Sequence, residues 1–136
     1  MDEDARLLRT TFLLGAVIDA GALAPMLHPR LAKLLWGFEK SDGRYGFAMR
    51  MGASLMAGWT LLLFWAARKP FERRAVAPMT VQVIAGLAAA EALAVKSGDM
   101  VLGKALPSWV MQAVLTLLFL TGYARTIVGS ARARIE

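Results

Sequence analysis

The stretch YGFAMRMGASLMAGWTLLLFWAA at residues 45–67 decides the fold class. It carries a single charge, Arg50, and is long enough to cross a bilayer as a helix, which takes about 20 predominantly apolar residues. A surface helix of a soluble domain would show a polar face of similar width to its apolar one. This stretch shows none. The segment RKPFERR follows at 68–74, and a second apolar run occupies 75–95. Working outward, runs at 7–27 and 106–127 complete a set of four spans. The expected fold is all-α, a polytopic membrane protein built as one antiparallel bundle of four transmembrane helices, with no room for a second domain.

The chain is 57% hydrophobic and contains no cysteine, which excludes disulfides, thiolate metal sites and a cysteine nucleophile. Its single histidine, His28, leaves no multi-histidine metal site or haem pair, so no metal and no cofactor are expected. The net charge of +6 does not point to nucleic acid. The basic residues stand at the ends of apolar spans, where lipid headgroups and the positive-inside rule account for them. The first span resembles a secretory signal around Ala22-Leu23-Ala24, but the acidic start Asp2-Glu3-Asp4, Asp19 within the apolar run and Pro25 after the site oppose cleavage. It is read as retained.

Lysine and arginine distribute unevenly. Arg6, Arg9, Arg68, Lys69, Arg73, Arg74, Arg125, Arg132 and Arg134 lie on the side of the termini; Arg30, Lys33, Lys40, Arg44, Lys96 and Lys104 lie on the other. Nine against six places the termini on the cytoplasmic side of the membrane. The short 68–74 connection makes spans two and three a hairpin. After span one, Leu31, Leu34, Leu35 and Phe38 recur at helical spacing with Arg30 and Lys33 off that stripe. An interfacial helix in the headgroup plane is expected there, the alternative being a lid packed over the mouth of the bundle. Ser41-Asp42-Gly43 turns the chain into span two. Trp36, Trp65, Trp109, Tyr45 and Tyr123 fall near span ends as interface anchors, and Trp59, nearer mid-span, is read as packing.

Three charged residues stand well inside spans, where each costs a few kcal/mol without a partner or a task. With a rise of about 1.5 Å per residue, Asp19 lies about 3 Å to the outer side of the midplane, Gln112 about 7 Å, and Arg50 and Glu91 about 9 Å. Arg50, Ser54 and Gly58 share a face of span two, Ser108, Gln112 and Thr116 a face of span four, and Thr11, Gly15, Asp19 and Ala22 a face of span one. Asp19, Arg50, Ser54, Glu91 and Gln112 are therefore the candidate ligand-binding residues. Two readings compete: a structural ion pair of Arg50 with Glu91, extended or not to Asp19, or an outward-opening pocket in which the carboxylates bind a cation or exchange protons and Arg50 tunes them or holds an anion. Glu91 is rotated off the Gln82, Gly86, Ala90 face and is alternatively directed at a neighbouring subunit. The pairs Ser54/Gly58, Ala48/Gly52 and Gly86/Ala90 favour tight helix association, within the chain or in an oligomer.

The run from Tyr45 to Thr60, followed by Arg68-Lys69-Pro70, resembles short uncharacterised bacterial four-span integral membrane proteins, and the architecture is loosely similar to that of DoxX-like proteins. The resemblance implies the four-span fold, a location in a bacterial inner membrane, and no activity. Small multidrug exporters, with a glutamate in their first span where this chain has Asp19, are not resembled, nor are fluoride channels. The expected role is binding or conduction of a small solute, an ion or a lipid-like molecule at the polar cluster. The main alternative is a non-catalytic accessory subunit of a larger membrane complex. A weaker one is a membrane enzyme acting on a lipid through Asp19 and Glu91, since no nucleophile with a base partner and no phosphate loop is present.

Overall fold

The structure is a computed structural model and describes residues 2–38 and 42–132. Five helices follow one another: α1 (Asp2–Leu27), α2 (Pro29–Trp36), α3 (Gly43–Arg68), α4 (Val76–Ser97) and α5 (Leu102–Arg132). All but α2 contain a stretch long and apolar enough to cross a membrane, so the chain is a multi-pass membrane protein by length and composition. The helices outrun the expected spans. α1 starts at the acidic residues, which suit the positive end of a helix dipole. α5 starts before the expected 106 and runs through Pro107.

The ends of the elements follow from local chemistry. Asp42 caps α3, its carboxylate accepting the amide of Tyr45 at 2.8 Å. α2 and α4 stop at Gly37 and Gly98, whose φ values of 80° and 82° only glycine adopts without strain. In the turn after α3, Lys69 pairs with Glu72 at 3.0 Å. Arg73 donates to the carbonyl of Trp65 and lays its guanidinium 3.7 Å over that ring. Arg74 reaches the carbonyl of Thr126 near the end of α5 at 3.3 Å, pinning the turn to the terminal end of the bundle.

The long helices do not pack in chain order. α1 lies along α3 and α5, and α5 also lies along α4, giving the spatial order α3, α1, α5, α4. α3 and α4, expected to form a hairpin, share little surface beyond their connecting turn. The core fills the half of the bundle near the termini and that turn: Leu8, Phe12 and Ala16 of α1, Leu63, Ala66 and Ala67 of α3, Val76, Ala77 and Ile84 of α4, and Leu115 and Phe119 of α5. Phe12 and Phe119 meet with ring centroids 5.7 Å apart. Gly15 permits the three-helix approach, because a β-carbon there would stand 3.1 Å from the Phe119 ring and 3.3 Å from Leu63.

At the other end, α2 turns Ala32 inward and leaves Leu31, Leu34 and Leu35 exposed. A lid over the bundle mouth would bury those leucines; a helix at headgroup level presents them to lipid. α2 rests on the ends of α1 and α5, where the Lys104 ammonium donates to the carbonyls of Leu34 at 2.6 Å and Lys33 at 3.3 Å.

Candidate functional site

The five candidate residues divide into three places. Glu91 of α4 meets Ser108 and Gln112 of α5. The Ser108 hydroxyl donates to Glu91 Oε1 at 2.7 Å, and Gln112 Nε2 donates to Glu91 Oε2 at 3.1 Å and to Ser108 Oγ at 3.1 Å. This triangle satisfies a carboxylate within a span with neutral donors, so the packing of α4 on α5 does not depend on a counter-charge. The polar stripe read on the fourth span is therefore real. It faces α4.

Arg50 is not part of this group. α3 carries it beside the α1–α2 elbow, lining a small cavity with Pro25, Met26 and Pro29, and Arg50, Ser54 and Gly58 are all exposed. The expected pairing of Arg50 with Glu91 is corrected: the two were matched by depth, but α3 and α4 stand at opposite edges of the helix array. The inward face of α3 is instead built from Ala53, Thr60, Leu63 and Ala67, with Gly52 beside Met26 of α1. Small and apolar groups pack more closely against α1 than an arginine can, and an arginine near a span end reaches the headgroups. Ser54 is displaced from the expected site for the same reason. The Gly86 and Ala90 face of α4 is also exposed.

Asp19 lies on the inward stripe of α1, one turn beyond Gly15, and is half-buried. It makes no hydrogen bond or ion pair among the described residues, with Glu91 or any other group. Trp59 packs against the core as expected, its indole nitrogen buried without a partner.

An open groove of about 640 Å³ runs between α4 and α5 beside the Glu91 triangle. Its walls are small and apolar, Ala85, Ala88, Ala92 and Ala113 among them, with Trp109 and Gln112 on its α5 side. Gln112 is 7% exposed, and its Oε1 has no hydrogen-bond partner. Its amide orientation follows from the network, because Nε2 is the atom that can donate to the carboxylate. Trp109 Nε1, three residues earlier on the same helix, is likewise buried without a partner. One unpaired acceptor and one unpaired donor thus flank an apolar groove. Trp109, read as an interface anchor, was missed as a site residue. Its spacing of three from Gln112 is the signal that would have found it.

Among the described residues no group of three or more His, Asp and Glu side chains gathers as it would around a metal ion. Comparison with protein-family models, curated proteins and solved structures finds no significant match.

Proposed function

We propose that this multi-pass protein sits in a bacterial inner membrane with cytoplasmic termini and binds a lipid-like molecule in the groove between α4 and α5. The observation that carries the reading is the buried, unpartnered Oε1 of Gln112 on an otherwise apolar groove. A buried carbonyl without a donor costs about 1–3 kcal/mol, which a ligand hydroxyl or amide recovers by donating to it. The same head group accepts from Trp109 Nε1, and its hydrocarbon lies along the alanine wall. Conduction of an ion or solute is the weaker part of the expectation, because Asp19, Arg50 and Glu91 do not share a path. The likeness to DoxX-like proteins enters only as architecture.

The test is photolabelling of the purified chain by a diazirine-bearing monoacylglycerol. Labelling should map to α4 and α5, fall with Gln112→Leu and vanish with Ala88→Trp, which fills the groove. Equal labelling of Ala88→Trp and the parent sinks the reading.

A second reading, an accessory subunit of a larger complex, draws on the outward small-residue faces Ser54/Gly58 and Gly86/Ala90. It predicts that Gly58→Ile and Gly86→Ile abolish a cross-linked partner while leaving groove labelling intact.

A further inference from the structure

A second, smaller cavity of about 140 Å³ lies under the elbow between α1 and α2, at the other side of the molecule from the α4 groove. Pro25, Met26 and Pro29 form its roof, and Tyr45, Met49 and Arg50 of α3 form its floor. Two polar groups serve it. The Tyr45 hydroxyl is buried without a hydrogen-bond partner. Its ring is held edge-on by Phe38 at 5.9 Å, and Phe38 rests on Trp36 at 5.9 Å, so the direction of the hydroxyl is fixed by an aromatic chain. The Arg50 guanidinium folds back along α3 toward Gly46 and lines the cavity. Its Nη1 lies beside Gly46, one turn earlier, 3.5 Å from where a β-carbon there would stand.

Arg50 has no carboxylate within ion-pair distance among the described residues, where the one ion pair is Lys69 with Glu72. Asp42, the nearest described carboxylate along the chain, is engaged in capping α3. A permanently charged guanidinium and a fixed hydroxyl on an otherwise apolar cavity, level with a helix whose leucines face lipid, match an anionic oxygen group bearing an apolar tail. We infer that the cavity under the α1–α2 elbow holds the phosphodiester of an anionic phospholipid, with Arg50 pairing the phosphate, Tyr45 donating to it, and the acyl chains lying along the exposed face of α3. This site is separate from the α4 groove and does not rest on it.

The full chain is reconstituted in nanodiscs of phosphatidylcholine with increasing phosphatidylglycerol, and Tm is followed. Parent protein should show a saturable rise in Tm. Arg50→Gln should shift the half-saturating phosphatidylglycerol fraction upward roughly ten-fold, the loss of one charge-assisted hydrogen-bonding group. Tyr45→Phe should weaken it less, and Lys96→Gln, exposed at the same end but off the cavity, should leave it unchanged. Each variant is referenced to its own Tm in phosphatidylcholine alone, and native mass spectrometry counts the phosphatidylglycerol retained per chain. An equal response in parent and Arg50→Gln overturns the proposal, as does a loss in Lys96→Gln as large as in Arg50→Gln, which is general surface attraction. Inorganic phosphate or glycerol 3-phosphate in detergent should not protect; protection equal to that of phosphatidylglycerol reassigns the site to a free anion. Glu39→Gln should respond as the parent does, and a response that appears only in Glu39→Gln shows Arg50 neutralised within the chain and overturns the lipid assignment.

Discussion

The Lys104 ammonium donates to the carbonyl oxygen of Leu34 at 2.6 Å, joining the last turn of α2 to the first turns of α5. Carbonyls at a helix C-terminus lack internal partners and carry partial negative charge, so a cation there is favourable. Lys104→Met should cost about 0.5–1 kcal/mol, discounted for its exposure. Hydrogen exchange should quicken at the α2 amides and stay unchanged in α3. Uniform quickening along the chain would show that Lys104 stabilises the whole bundle instead.

Gly15 and Gly58 separate used from unused small-residue positions. Gly15→Ala puts a methyl group 3.1 Å from Phe119 and should destabilise by about 1–3 kcal/mol. Gly58 has nothing within 4 Å of an added β-carbon, so Gly58→Ala should be neutral or stabilise by up to about 1 kcal/mol through helix propensity. Thermal unfolding in detergent checks both, and a destabilised Gly58→Ala would reveal a partner on that face.

Glu91 should couple to Gln112 and not to Arg50. In double-mutant cycles read by thermal unfolding, Glu91→Ala with Gln112→Ala should be non-additive by about 1 kcal/mol, since the two share hydrogen bonds. Glu91→Ala with Arg50→Ala should be additive within about 0.5 kcal/mol. A coupling of the second pair equal to the first would bring α3 and α4 together in the membrane.

Asp19 sits half-buried within a span without a partner among the described residues. Asp19→Asn removes a charge and keeps the shape, and should raise stability by about 1–2 kcal/mol at pH 7. A loss of stability would mean that the carboxylate has a bound counter-ion or a partner supplied from outside the chain.

Orientation follows from side-specific labelling. Glu72→Cys, in the exposed turn at the terminal end, should resist an impermeant thiol reagent in intact cells, and Lys96→Cys at the opposite end should react. The reverse pattern inverts the assignment, and equal labelling shows dual topology.

What the sequence yields is periodic, and what it withholds is lateral. The spans, the Asp42 turn and the leucine stripe of α2 are read from length and spacing, as are the inward faces holding Thr11, Gly15 and Asp19 on α1 and Ser108 and Gln112 on α5. Depth is also computable from the 1.5 Å rise per residue. Depth says nothing about which helices are neighbours. Arg50 and Glu91 were matched by level and fall on opposite edges, because a short turn joins α3 to α4 without obliging them to pack along their length. Nor does polarity name the inward face when the polar residue is an arginine within reach of headgroups, as on α3. The groove is not legible in the sequence because its alanine walls carry no signal of their own, and only the two helices together make them concave.

The order α3, α1, α5, α4 has a consequence for biogenesis. During synthesis α4 enters the bilayer before the one helix it packs along exists. It waits there as a lone, alanine-rich segment until α5, a helix of 31 residues, emerges and slots between α4 and α1. Until α5 is in place Glu91 lacks its donors, since Ser108 and Gln112 both stand on that helix. Within this bundle α5 acts as the keystone, joining α4 to segments already in place.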